Sequence, residues 1–189
     1  VLQEAVGSVG YDAVMSKDLS SKTGILLLNL GTPKSPEPED VGNYLKEFLM
    51  DPYVIDIPYP LRWIMVSAMI VPRRKYASSE LYKKIWQKEG SPLLLFTQEL
   101  GRKVQARLGD SYAVETAMRY GAPSIDQALL QFKEKGVGRI VAFPLYPQYS
   151  TSATLASIVE IKKRMQRILP AVPVEPGEVG LIHGGGVAR

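Results

Sequence analysis

The sequence contains no cysteine, and its one histidine is His183. Without cysteine there can be no disulfide, no zinc–thiolate centre and no cysteine-ligated iron–sulfur cluster within the chain. That usage suits a cytoplasmic protein, and a cytoplasmic location is expected. Long apolar runs are also missing. None reaches the roughly 18–20 residues of a membrane-spanning helix. The first 22 residues lack a basic segment followed by an apolar core, so they do not read as a signal peptide. There is no Arg-rich tract and no RNP-like aromatic pattern, which argues against a nucleic-acid partner. Phosphate-binding glycine signatures are absent too: no Gly-x-Gly-x-x-Gly follows the first apolar run, and no P-loop occurs anywhere. Pro33 and Pro36 remove backbone donors that a phosphate would need.

What is present is a globular composition. The 189 residues are 46% hydrophobic and 22% charged, enough for one ordinary domain. The net charge of +4 suits acidic small molecules or an anionic membrane surface.

Residues 1–22 carry no firm periodicity and read as a loose arm. Gly24 to Leu30 is a short apolar run bounded by turn residues, the pattern of a central parallel strand. Helical spacing follows from Glu39 to Met50, and then Pro52, Pro58 and Pro60 impose a loop. Leu61–Val71 is strongly apolar and reads as a core helix ending at Pro72. Ser78 or Ser79 is expected to cap a further helix running to about Gln87. Helices are expected over 93–108, 124–135 and 153–169, with strands over 112–118, 138–143 and 172–174. Ser124 is the expected N-cap of the second of these helices and Gly136 its C-terminal stop. Alternating strands and helices with short connections predict an α/β fold, a parallel doubly wound sheet of Rossmann-like type. The Gly-rich tail, residues 176–189, supplies no helix after the fourth strand and is read as a truncated end.

Ligands of such sheets sit outside the carboxyl ends of the strands. Three loops leave those ends: Asn29–Pro33, Arg119–Pro123 and Pro144–Thr154. They offer a guanidinium, three tyrosines, several hydroxyls and an apolar contact from Leu30. Such a surface is mostly flat, aromatic and hydroxyl-bearing rather than a phosphate cradle, and suits a small ligand. The bland alternatives are rim packing for Tyr146 and Tyr149, a surface ion pair for Arg119, and solvated charge for Arg73, Arg74 and Lys75.

Six segments in order carry a resemblance. They are TGILLLNLGTP (23–33), YLKEFLMDP (44–52), PRRK (72–75), LYKKIWQKEGSPL (81–93), AMRYGAPS (117–124) and FPLYPQYSTSAT (143–154). Each alone is weak, but together the chain resembles the ferrochelatases, which insert ferrous iron into a porphyrin. The resemblance covers residues 23 to about 170. It implies an N-terminal Rossmann-like domain over 23–175, facing a second such domain across a porphyrin cleft.

It also implies site roles. Leu30 would face the macrocycle, and Arg73 and Arg74 would meet propionates or lipid head groups. Tyr82 and Ser91 would line the same edge. Arg119 and Tyr120 would form the inner pocket, and Tyr149, Ser150 and Thr151 would lie in the loop that closes it. The segment 61–75 would act as a hydrophobic lip touching a membrane, which would place the protein at the inner face. Fe2+ would be a substrate, with no resident cofactor. The substrate would be protoporphyrin IX or coproporphyrin III. Oligomeric state is left open.

The resemblance fails at the catalytic end. The family's histidine lies in a Ser-Ala-His-x-Leu-Pro motif, with a glutamate further on, and this sequence holds neither. His183 stands in a non-matching context and is not assigned the role. A chain without that acceptor is expected not to metallate porphyrin at an enzymatic rate. Three rival functions stay open, of which the first two are a different tetrapyrrole chelatase and a non-catalytic tetrapyrrole-binding module. A plain interaction domain of the same fold is the third.

Overall fold

Ile25, Leu26, Leu27 and Leu28 are all buried, so one strand is covered on both faces. This is β1 (Lys22–Gly31), the second of four strands. The computed structural model describes residues 22–176. β1 pairs in parallel with β2 (Tyr112–Tyr120) on one side and β3 (Val137–Pro144) on the other. A short β4 (Val174–Pro176) runs parallel to β3, which gives the order β2-β1-β3-β4. The remainder of the arm over 1–22, the remainder of the tail over 176–189, and His183 lie outside the described residues.

Helices cover both faces, as expected for a doubly wound sheet. On one face Leu26, Leu28, Ala117, Ile140 and Ala142 meet α5 (Ile125–Glu134) and α6 (Ala156–Ile168). α5 contributes Ile125, Ala128, Leu129 and Phe132 to that core, an i, i+3, i+4, i+7 set on a single side of the helix. Burying Leu129 and Phe132 contributes roughly 1.5–3 kcal/mol each. Ser124 caps α5 through a full capping box with Gln127, and Gly136 follows its end at φ 65°. On the other face lies α4 (Pro92–Leu108), tied to β1 where the Asn29 amide donates to Thr97 Oγ1 at 3.1 Å.

The stretch between 59 and 87 departs from expectation. No break occurs at Pro72. A helical run passes through α2 (Tyr59–Ile64), a π-helical turn (Met65–Ile70) and α3 (Val71–Ile85). The N–H of Val71 bonds to the carbonyl of Val66, five residues back. That wider turn immediately before Pro72 makes room for a ring that would clash with an ordinary α-turn. Ser79 caps nothing. It is buried within α3, and its hydroxyl donates to the Pro36 carbonyl at 2.6 Å, joining α3 to the loop after β1. α3 ends at Ile85, and Gln87 and Gly90 close a turn through reciprocal backbone bonds of 3.0 and 3.1 Å.

The expected burial of Leu61–Val71 is also overturned. Leu61, Trp63, Ile64 and Met69 are exposed, whereas Arg62 and Val66 are buried. The apolar side of this segment faces outward. The Arg62 guanidinium turns inward because the Ile55 carbonyl accepts from its Nη1 at 2.8 Å.

Beyond β3, Ser150 N-caps a short π-helical turn (Thr151–Leu155) that leads into α6. The fourth strand begins at Val174 rather than Val172, because the Val172 N–H closes a turn onto Leu169 at 3.0 Å.

Candidate functional site

The chain leaves β1 for β2 on one side, and β3 lies on the other. The strand order therefore reverses at β1, and the carboxyl ends of β1 and β3 are where ligands of such sheets sit. All three expected loops converge on this edge. The β1 and β3 ends are joined where the Leu145 N–H donates to the Leu28 carbonyl at 2.7 Å.

The centre of the edge is a carboxylate that sequence reasoning missed. Asp51 follows α1 (Pro38–Leu49) and is only 6% exposed. Its Oδ2 accepts from Arg119 Nη2 and from the Tyr120 hydroxyl, the latter at 2.8 Å. Its Oδ1 accepts from the Tyr53 N–H at 2.8 Å. The Arg119 guanidinium also lies 4.6 Å from the centre of the Tyr120 ring, a cation–π contact. The signal available beforehand was weak: Asp51 stood in a quoted motif, but nothing local showed that it would meet Arg119, 68 residues away.

An aromatic row extends from this centre. Tyr120 meets Phe48 edge-on at 5.3 Å, Phe48 stacks with Tyr44 at 6.3 Å, Tyr44 meets Tyr82 edge-on at 6.5 Å, and Tyr82 meets Trp86 at 6.2 Å. Phe48 and Tyr44 thus connect two expected site residues, Tyr120 and Tyr82, that belong to different elements. Tyr44 anchors the row by donating its hydroxyl to the Gly31 carbonyl at 3.2 Å. Burial pushes the Tyr120 phenol well above the ordinary tyrosine value, and its hydrogen bond to Asp51 pushes it further. Burial likewise raises Tyr44, Tyr82 and Tyr146. These hydroxyls are therefore neutral donors or acceptors at physiological pH.

The other expected residues divide. Ser91 is buried at the start of α4, and Leu30 is half-buried at the end of β1, its N–H bonded to its neighbour Asn29 Oδ1 at 2.8 Å. Ser150 is occupied as a cap, accepting from the Ala153 N–H at 3.1 Å. Thr151 is exposed, and Tyr149 is 63% exposed. Tyr146 is held inside the loop by a 2.9 Å bond between its hydroxyl and Ser157. Arg73 and Arg74 are exposed on α3, with Arg73 reaching only the Met69 carbonyl at 3.4 Å. The structure does not bring these two arginines to the Asp51 cluster.

An open cavity of about 480 Å3 lies between α1 and α2, lined by Asn43, Lys46, Glu47, Met50, Tyr59 and Trp63. None of the ten expected residues lines it. It adjoins the strand-end edge through Glu47, which accepts from the Gly121 N–H at 3.1 Å. Its lining sets two exposed aromatic rings, Tyr59 and Trp63, beside the charged Lys46 and Glu47.

Comparison with known proteins bears on this geometry. The family model described as Ferrochelatase matches residues 22–176. A ferrochelatase of Bdellovibrio bacteriovorus is 45% identical over 125 residues, covering 66% of this chain and 37% of the relative. One of Coxiella burnetii is 46% identical over 127 residues, covering 67% and 36%. One of Azotobacter vinelandii is 50% identical over 122 residues, covering 65% and 36%. The matched region spans little more than a third of the length of these curated relatives. The family match runs from the first residue of β1 to the last of β4, so it takes in the whole sheet and its strand-end cluster, and this chain belongs to the ferrochelatase family.

Proposed function

We propose that this chain forms one wall of a porphyrin cleft in an enzyme that inserts Fe2+ into protoporphyrin IX or coproporphyrin III. The observation that carries this is the convergence of Arg119, Tyr120 and the aromatic row on one strand-end edge. A porphyrin is a flat apolar disc with carboxylates at its margin. It calls for ring faces to lie against and cations where the carboxylates end. Tyr82 and Ser91 would serve the same edge, Leu30 would touch the macrocycle, and the loop bearing Tyr149, Ser150 and Thr151 would close over it. Fe2+ is a substrate in this scheme, not a resident cofactor.

Metal insertion releases two pyrrole protons and needs an acceptor. Asp51, the carboxylate at the centre, already accepts three hydrogen bonds. Among the described residues there is no group of three or more His, Cys, Asp or Glu placed to hold a metal. A carboxylate as engaged as Asp51 is a poor proton acceptor, which supports a chain that contributes to porphyrin binding without metallating it alone. That is also the behaviour of a non-catalytic tetrapyrrole-binding module, the second reading.

The exposed Leu61, Trp63, Ile64 and Met69, followed by Arg73 and Arg74, would rest on an anionic membrane surface. Among the described residues no helix is long and apolar enough to cross a membrane.

The test is porphyrin fluorescence on the purified chain, with and without zinc as a surrogate for iron. Quenching on binding, without the emission of zinc porphyrin, is the expected result. Zinc porphyrin accumulating well above the uncatalysed rate would show an acceptor outside the cluster and would make His183 the first residue to replace. A folded chain that quenches no porphyrin would overturn the cleft reading.

A further inference from the structure

Asp51 sits at the meeting point of two hydrogen-bonded paths. Its side chain holds Arg119 and Tyr120, as described above. Its backbone carbonyl accepts from the N–H groups of Val54 and Ile55, both at 3.0 Å, and so begins a tight turn. The carbonyl of Ile55 then accepts from the Ile57 N–H at 3.1 Å and from Arg62 Nη1 at 2.8 Å. Arg62 belongs to α2 and is only 7% exposed. From the end of β2 to the apolar lip the path thus has three links, from Arg119 and Tyr120 to Asp51, from Asp51 to Ile55, and from Ile55 to Arg62. Pro52, Pro58 and Pro60 lie along the same short connection and restrict its φ angles, leaving little slack between the two ends.

Stability alone is a poor reason for this arrangement. Burying a guanidinium and a carboxylate together costs desolvation that their attraction often only offsets. What such a pair does deliver is geometry. Asp51 takes up one end of the Arg119 fork and leaves its Nε buried without a protein partner. The Arg62 Nε is likewise unpartnered, so Arg62 is held through its bond to Ile55 and its contact with the Tyr59 ring at 6.0 Å. We propose that Asp51 is a positioning residue, which fixes Arg119 and Tyr120 at the strand end and ties their placement to that of the lip helix through Ile55 and Arg62. Its consequence for ligand binding rests on the porphyrin reading; the coupling itself does not.

The first test therefore needs no ligand. Hydrogen exchange of the full chain, followed by mass spectrometry, is compared for wild type, Asp51→Asn and Arg119→Gln. Both substitutions should speed exchange in peptides covering 52–66 about tenfold or more, while α5 and β3 exchange as in wild type. Unchanged exchange over 52–66 in both variants overturns the proposal. If Asp51→Asn exchanges faster everywhere, it has lost the fold, and Arg119→Gln decides, since it breaks the same pair from the strand side. The second test titrates coproporphyrin III against the same proteins and the double variant. Asp51→Asn should weaken binding about tenfold in wild type and less than twofold when Arg119 is already Gln. Equal losses in both backgrounds would mean that Asp51 does not act through Arg119, and would overturn that half of the proposal. Faster exchange over 52–66 in the variants, together with a wild-type protein that binds no porphyrin, would leave the coupling standing and remove the cleft reading.

Discussion

The carbonyl oxygen of Tyr120 occupies the space that a Cβ on Gly31 would need. Gly31 also sits at φ +120°, where residues with side chains are strained. The neighbouring loop repeats the device: at Gly121, φ +85°, a Cβ would lie 2.8 Å from the Thr32 carbonyl oxygen. The ends of β1 and β2 can close together, and bring Tyr120 to Asp51, because neither glycine carries a side chain.

Gly31→Ala should therefore cost more than strain alone. Backbone strain is worth roughly 1–3 kcal/mol, and a clash with backbone atoms cannot be relieved by rotating a side chain. A total loss above about 3 kcal/mol is expected, near the exceptional end for single substitutions. Gly90→Ala is the control: φ there is +137°, but no atom beyond its own chain neighbours lies within 4 Å of the new Cβ. It should lose only the strain. Urea unfolding followed by circular dichroism measures both, and equal losses would show that the approach of Tyr120 is unimportant.

Ser124→Ala tests a local prediction. The capping box has the Ser124 hydroxyl accepting from the Gln127 N–H at 3.3 Å and the Gln127 side chain accepting from the Ser124 N–H at 2.7 Å. Losing a cap of this kind costs about 1 kcal/mol. α5 carries Leu129 and Phe132 into the main core, so the loss should register in global unfolding. An unchanged midpoint would mean that the end of α5 frays without consequence.

Ser124 and Ser79 show what could be read in advance. At Ser124 every partner lies within three residues, and the cap was legible. At Ser79 the partner is the Pro36 carbonyl, 43 residues away, and a local capping rule assigned it to the wrong place. The strands were legible because Ile25 to Leu28 are buried on both sides, which leaves an unbroken apolar run. Leu61–Val71 misled for the opposite reason. Most of its apolarity marks an exposed surface, and beside Val66 it buries Arg62, whose reason for burial is a carbonyl on the preceding loop. Asp51 was hidden in the same way, since both side chains that define it arrive from a distant strand.

Alkaline pH should destabilise the fold through the buried phenols. In Tyr44 and Tyr120 burial raises the folded-state pKa above the unfolded value of 10.0. Above pH 10 the unfolded chain releases these protons and the folded chain retains them. Stability is therefore fully present below pH 10 and falls as pH rises beyond it, by roughly 1.4 kcal/mol per pH unit for each such phenol. Denaturant unfolding between pH 8 and 11.5 checks the slope. Tyr44→Phe should flatten it, and a slope identical to wild type would show that this phenol ionises freely in the folded state.

Vesicle binding examines the lip. Trp63 and Ile64 are exposed neighbours on α2, and Arg73 and Arg74 are exposed further along the same helical run. A membrane contact predicts two separable contributions, an apolar one from the first pair and a salt-sensitive one from the second. Each arginine near an anionic surface contributes about 1 kcal/mol. Arg73→Gln with Arg74→Gln should therefore weaken sedimentation with phosphatidylglycerol vesicles roughly thirtyfold at low salt, and much less at 0.5 M salt, where screening has already removed the attraction. Trp63→Ser with Ile64→Ser should weaken binding at both salt concentrations. If the arginine pair alone accounted for all binding, the exposed apolar residues would not enter the bilayer, and their exposure would have to be explained by a protein surface instead.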